Sequence, residues 1–247
     1  MAAGLLVVAG VVAVVVLGSG SSKKSTSAKP VGDLWPARLG AVPTNHVTGA
    51  GKADIRLKGN LATVTLHTNG LLNGAPHAMH IHAGKLGQCP PATAAHLHNG
   101  HEAISTTNGA SYYGPPRTSL TTKGDTSQAS ILAFPRYPAT GDIGYSRTFK
   151  LTPKVARFVK ENNAVIVVHG IDFNGNGVYD GSLDRSELNP DVQGETTAPA
   201  LCGPLVRSAS GSSAQRQGGG GAQVYAATLA VQATAPLWLC HLSGPTS

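Results

Sequence analysis

Ala78-Met79-His80-Ile81-His82-Ala83-Gly84 is the stretch on which the fold turns. Apolar side chains alternate with imidazoles, and residues i and i+2 of a strand project from the same face. Read as a strand, the stretch aims His80 and His82 at one point and leaves Met79 and Ile81 to pack on the other side. A second stretch, Val165-Ile166-Val167-Val168-His169-Gly170, is a β-branched run of the kind that forms a strand buried on both faces, and it ends in a third histidine. Three imidazoles carried on rigid strands suit a transition metal, copper or zinc above all.

The surroundings of these two strands are also β in character. Over 247 residues the chain has 31 glycines, 16 prolines and only 4 phenylalanines, which favours a loop-rich β protein over a helical bundle. Ile55 and Leu57 alternate with Asp54, Arg56 and Lys58; Gly59-Asn60 is a turn; Val64 and Leu66 then alternate with Thr63, Thr65 and His67. This is a β-hairpin pattern. Strand-like pieces recur at residues 130–134 and 145–151. Thr152-Pro153 reads as a helix N-cap and first turn, with Val155, Phe158 and Val159 as the apolar stripe. From Cys89 to about Lys123 there is little periodicity; a loop of that length is usually functional, and this one carries His96, His98 and His101.

Ala2 to Leu17 is an unbroken apolar run, expected to be a signal peptide or membrane anchor over residues 1–18. No base precedes it, and Lys23 and Lys24 follow it. The positive-inside rule alone would keep the main domain in the cytoplasm, but a start upstream of Met1 would supply the missing bases, and an extracytoplasmic domain is the expectation. Residues 19–44 read as a flexible tether, 45–207 as the folded domain and 208–247 as a low-complexity tail. Cys89 and Cys202 fall in the domain and Cys240 in the tail. The formal charge is +7, yet the bases are scattered and no stacking aromatics accompany them. Nucleic acid is therefore not an expected partner, whereas a small anion suits a mildly basic surface. No nucleophile elbow or paired-carboxylate signature supports a hydrolase.

The order His80-Ile81-His82, Cys89, a histidine-bearing loop, Val167-Val168-His169-Gly170 and Leu201-Cys202-Gly203 resembles the Cu,Zn superoxide dismutase family, over roughly residues 46–207. Chordin-type (CHRD) domains share part of the pattern. The resemblance implies an all-β, Greek-key β-barrel with copper on His80, His82 and His169, and one loop histidine in the bridging role: His98, with His96 as the alternative. It implies a Cys89–Cys202 disulfide and with it an oxidising compartment. The family's zinc site needs two further histidines and an aspartate in the loop. Here only His101 and the distant Asp125 follow, so copper alone, or a partly filled pair, is expected rather than a full zinc site. The family also carries an arginine three residues before the second cysteine. Pro199 stands there, which leaves Arg185 to take the role in space. The implied activity is dismutation of superoxide to O2 and H2O2 by Cu(II)/Cu(I) cycling. The alternative, favoured by Pro199, is a non-catalytic envelope module that binds copper or calcium.

Calcium enters through Asp172-Phe173-Asn174-Gly175-Asn176-Gly177-Val178-Tyr179-Asp180. Side-chain oxygens occupy positions 1, 3, 5 and 9 of a calcium loop (Asp172, Asn174, Asn176, Asp180), with a carbonyl at position 7. Position 12 is Leu183, so Asp184 or Glu187 would have to close the cage. Short Asp/Asn/Gly runs also form ordinary turns.

Overall fold

Alternation of apolar and polar residues along successive segments folds the chain into a single eight-stranded antiparallel sheet. Its strands are β1 (Asp33–Ala41), β2 (Ala50–Lys58), β3 (Leu61–Asn69), β4 (Met79–Ala83), β7 (Pro116–Ser119), β8 (Ile143–Lys150), β9 (Ala164–His169) and β10 (Pro199–Pro204). They lie in the order β7-β4-β9-β10-β1-β2-β3-β8. A separate hairpin pairs β5 (His96–His98) with β6 (His101–Ala103). The computed structural model describes residues 32–208; the apolar run at 2–17 and the tail with Cys240 lie outside the described residues. Among the described residues no helix is long and apolar enough to cross a membrane.

The sheet curls into a half-barrel around one core. Trp35, Ala37 and Leu39 of β1, Ile55 and Leu57 of β2, Val64 and Leu66 of β3 and Tyr145 of β8 meet inside it. A fully buried aliphatic side chain contributes roughly 2 kcal/mol. Slipping β2 by one residue would expose Ile55 and Leu57 and drive Asp54 and Arg56 inward, so the pattern sets the register. Three connections, β3 to β4, β7 to β8 and β8 to β9, cross between opposite halves of the sheet, as the Greek-key expectation requires. The edge strands β7 and β8 do not pair. Instead the Arg147 guanidinium on β8 donates to the Thr121 and Gly124 carbonyls beyond β7, at 2.5 and 3.1 Å.

Strands β4 and β9 are buried on both faces. Met79, Ile81 and Ala83, with Ala164, Ile166 and Val168, join the main core. On the outer face Val165 and Val167 pack under Ile104, Tyr113 and Cys202. The cover there is the segment after β4, held down by a disulfide between Cys89 and Cys202 of β10 that spans 113 residues. Closing so long a loop is worth about 5 kcal/mol in the chain-entropy picture. The bond also indicates an oxidising compartment.

Three segments differ from the sequence reading. Asp33–Ala41 lies within the expected tether but is β1, whose inward Trp35, Ala37 and Leu39 are at most 5 % exposed. Pro36 and Gly40 obscure an otherwise ordinary alternation. Residues 130–134 are not a strand: the chain there makes two short 3-10 turns, Gln128–Ser130 and Phe134–Arg136. The expected loop after Cys89 contains β5, β6, β7 and the helix α1 (Thr106–Tyr113), capped by a reciprocal Ser105/Asn108 box. The helix expected at Thr152 is present as α2 (Pro153–Lys160), with the Thr152 hydroxyl accepting from Val155 N at 3.3 Å.

Candidate metal centre

The outer face of β4 and β9 carries the three strand histidines. His80 pairs with Val167 and His82 with Val165 in the β4–β9 register, and His169 lies one step beyond, its amide donating to the Ala78 carbonyl at 2.8 Å. The three side chains turn toward each other and are almost wholly buried, at 4, 0 and 2 % exposure. One ring nitrogen from each lies within 4.8 Å of the other two.

Backbone carbonyls determine which nitrogens face inward. A carbonyl only accepts, so a ring nitrogen facing one carries its proton. His82 donates Nδ1–H to Gly114 O at 2.8 Å and His169 donates Nδ1–H to Thr197 O at 2.7 Å. His80 is reversed: its Nε2–H is shared between Ile131 O and the Tyr137 hydroxyl, each at 3.1 Å. A neutral imidazole has one such proton, so His82 Nε2, His169 Nε2 and His80 Nδ1 are bare. The first two are only 3.2 Å apart, and His80 Nδ1 is buried without any hydrogen-bond partner.

Converging lone pairs in so small a buried pocket are relieved by a positive centre, either a proton or a metal ion. Burial opposes the proton. It pushes His82 down to about 3, with the neighbouring His169 adding to the effect, and His169 down to about 4. His80 is lowered well below the usual histidine value by burial and then by His169 and His82. A metal ion answers the same need without protonation, and neutral imidazole is a ligand that suits copper and zinc. The outer hydrogen bonds are those that fix the tautomer and aim of a ligating histidine. The donor set therefore fits a three-histidine metal site.

No protein-family model and no curated protein matches the chain. What it can do must be read from the centre and its walls.

Those walls are apolar. Pro116, Ile131, Leu132, Phe134 and Leu188 close over the trio and leave a cavity of about 10 Å³, room for about one water. Tyr113 meets the His82 ring edge-on at 4.6 Å, and Tyr137 meets His80 in the same way at 5.7 Å.

The loop histidines lie elsewhere. His98 Nε2 donates to Asn108 Oδ1 at 2.8 Å, and its Nδ1 is 3.7 Å from the Asp184 carboxylate. His101 is exposed and its ring lies 5.4 Å from that of Phe173; His96 is exposed on β5. None of the three belongs to the converging group. Arg185 is exposed in an isolated bridge to Gln193 and does not wall the cavity. Pro199 is the β10 partner of His169.

The Asp172–Asp180 loop is closed by its own polar groups. Asp172 accepts from the Asn176 and Gly177 amides at 3.0 and 2.9 Å, and Asn176 Oδ1 accepts from Val178 N at 3.1 Å. The side-chain amides of Asn174 and Asn176 both donate to the Asp180 carboxylate. Leu183 at position 12 is buried. Glu187 caps α1 instead, accepting from Ser105 Oγ at 2.7 Å and Thr107 N at 3.1 Å.

Sequence reasoning missed two sets of residues. Gly114, Ile131, Tyr137 and Thr197 hold the outer nitrogens but have no motif. Glu195, wholly buried, accepts from Phe173 N at 2.8 Å and Asp180 N at 2.5 Å, so it joins the acidic loop to the short helix α3 (Gly194–Thr197) that supplies Thr197. Nothing near Glu195 in the sequence marks it.

Proposed function

We propose that this chain is an extracytoplasmic copper protein of the Cu,Zn superoxide dismutase type, with copper on His80, His82 and His169, and that it dismutates superoxide to O2 and H2O2. The convergence of three bare, buried ring nitrogens carries the reading. Bound copper would supply a one-electron cycle between Cu(II) and Cu(I). The protein's part is to present three fixed neutral imidazoles, hold their outer protons on carbonyls, and exclude bulk water. The strand order, the Cys89–Cys202 bond and the family resemblance support the same assignment. His98 as a fourth ligand would have to leave Asn108, and zinc on His96 or His101 would have to form on exposed side chains outside the converging group.

A specific observation favours a second reading. The cavity walls are apolar, Pro199 takes the position of the family's arginine, and Arg185 lies away from the cavity. A site so closed suits a non-catalytic copper-binding module of the envelope. We also propose calcium for the Asp172–Asp180 loop, tested by whether calcium raises the melting temperature and Asp180→Ala removes the rise.

Copper titration followed by EPR and a superoxide-decay assay separates the readings. One tight Cu(II) with nitrogen hyperfine coupling, lost in His169→Ala, together with copper-dependent superoxide decay supports the dismutase. The same spectrum without decay supports the binding module, and weak non-stoichiometric copper overturns both.

A further inference from the structure

We propose that Tyr137 is a positioning residue of the metal centre: it holds His80 by its outer nitrogen and pins residues 131–137 as a strap over the cavity, so that copper enters and leaves when this contact opens. The inference rests on reading the three histidines as a copper site.

Both ends of this segment meet at one atom. Ile131 O and the Tyr137 hydroxyl each lie 3.1 Å from His80 Nε2. The Tyr137 hydroxyl also donates back to Ser130 O at 2.9 Å, closing the segment on itself. Between these ends Leu132 and Phe134 form part of the cavity wall, as Ile131 does. Removing the segment's contacts would therefore unroof the centre and release the ligand's outer proton together.

The other boundaries are poorly suited to opening. β4 is hydrogen-bonded to strands on both sides, and β9 likewise. The cover carrying Tyr113 packs against the outer-face cluster that includes the disulfide-bonded Cys202. The segment, by contrast, is built from short local bonds: Ala133 N to Ser130 O at 3.1 Å, Arg136 N to Ala133 O at 2.8 Å and Tyr137 N to Phe134 O at 3.1 Å. Bonds internal to the segment survive if it swings as a unit. Apart from His80, its polar anchors to the rest of the protein gather on two residues: Arg136 O accepts from Thr122 N at 2.8 Å and Thr122 Oγ1 at 3.0 Å, while Asp125 accepts from the Arg136 guanidinium at 3.5 Å and from the adjoining Ser130 hydroxyl at 2.6 Å. Leu132 and Phe134 are only partly buried, so less apolar packing resists their movement than in the strands.

Tyr137 thus does more than fill space. Its hydroxyl accepts the proton that fixes His80 in the tautomer with a bare Nδ1, and loss of such an outer contact typically weakens metal binding or activity 10–100-fold. Phe134 forms wall without touching His80 Nε2, which separates gating from ligand orientation.

The test uses the full chain loaded with Cu(I) and an excess of bathocuproine disulfonate, following copper transfer by absorbance, beside Cu(II) EPR of each protein. Tyr137→Phe should transfer copper about tenfold faster and shift the parallel hyperfine coupling. Phe134→Ala should speed transfer and leave the spectrum as in the wild type. Wild-type transfer rates in both variants overturn the strap while leaving the copper site standing. Failure of the wild-type chain to retain copper through gel filtration overturns the copper reading and the strap with it. Should Tyr137→Phe not fold, Phe134→Ala alone decides: faster transfer supports the strap, and an unchanged rate overturns it.

Discussion

His82 Nε2 and His169 Nε2 face each other at 3.2 Å while both rings give their Nδ1 protons to backbone carbonyls. Without metal, burial of this neutral trio makes the fold sensitive to acid. The three histidines have lowered folded-state values, so below about pH 6.5 the unfolded chain binds protons that the folded chain refuses. Stability is fully present above pH 6.5 and falls as the pH drops toward about 4. With up to three protons taken up on unfolding, the slope reaches about 4 kcal/mol per pH unit. Urea unfolding of metal-free protein at pH 7, 6 and 5 measures it; a flat profile would show that the trio is not buried in its neutral form.

Reduction of Cys89–Cys202, or Cys89→Ser with Cys202→Ser, should destabilise the domain by roughly 4–5 kcal/mol, because the bond closes a loop of 113 residues. The cover on the outer face is tied at this point, so metal retention should fall as well. Urea midpoints with and without reductant test the first statement, and copper content after gel filtration tests the second.

Gly114→Ala should damage both fold and centre. Gly114 has φ +83° and ψ 179°, a region open almost only to glycine, and an added Cβ would sit 2.5 Å from Ala83 O. Its carbonyl is the acceptor for His82. Backbone strain of about 1–3 kcal/mol should lower the melting temperature, with weaker copper binding alongside. A variant that melts and binds copper like the wild type would contradict the assigned role of this carbonyl.

Glu195→Gln replaces one buried acceptor oxygen with an amide that cannot accept. One of the Phe173 and Asp180 amides then loses its partner, at about 1–3 kcal/mol. Because α3 also presents Thr197 O to His169, the Cu(II) EPR spectrum should change too. Loss of stability with an unaltered spectrum would confine Glu195 to bracing the acidic loop.

Much of the architecture is legible in short windows. The β2–β3 hairpin, the capped α2 and the buried β9 all follow from local alternation and capping chemistry. β1 is harder to see, because Pro36 and Gly40 interrupt the pattern that Trp35, Ala37 and Leu39 complete. Residues 130–134 carry enough apolar side chains to suggest a strand, but Ile131, Leu132 and Phe134 are used as cavity wall on short turns. The loop histidines are expected as extra ligands through the family resemblance; the contacts of His98 and His101 depend on where Asn108, Phe173 and Asp184 fall in space.

The sequence by itself determined that His80 and His82 share a face and that His169 terminates a buried strand, because side-chain direction in a strand repeats every two residues. It could not determine which nitrogens are bare. That depends on Gly114, Ile131, Tyr137 and Thr197, which reach the rings from 28 to 57 positions away along the chain. Contacts at such separation have no local periodicity to betray them. Only the packing of three separate segments, the cover, the β7–β8 connection and α3, against β4 and β9 brings those acceptors to the outer nitrogens, and three neutral imidazoles thereby become one inward-facing set of donors.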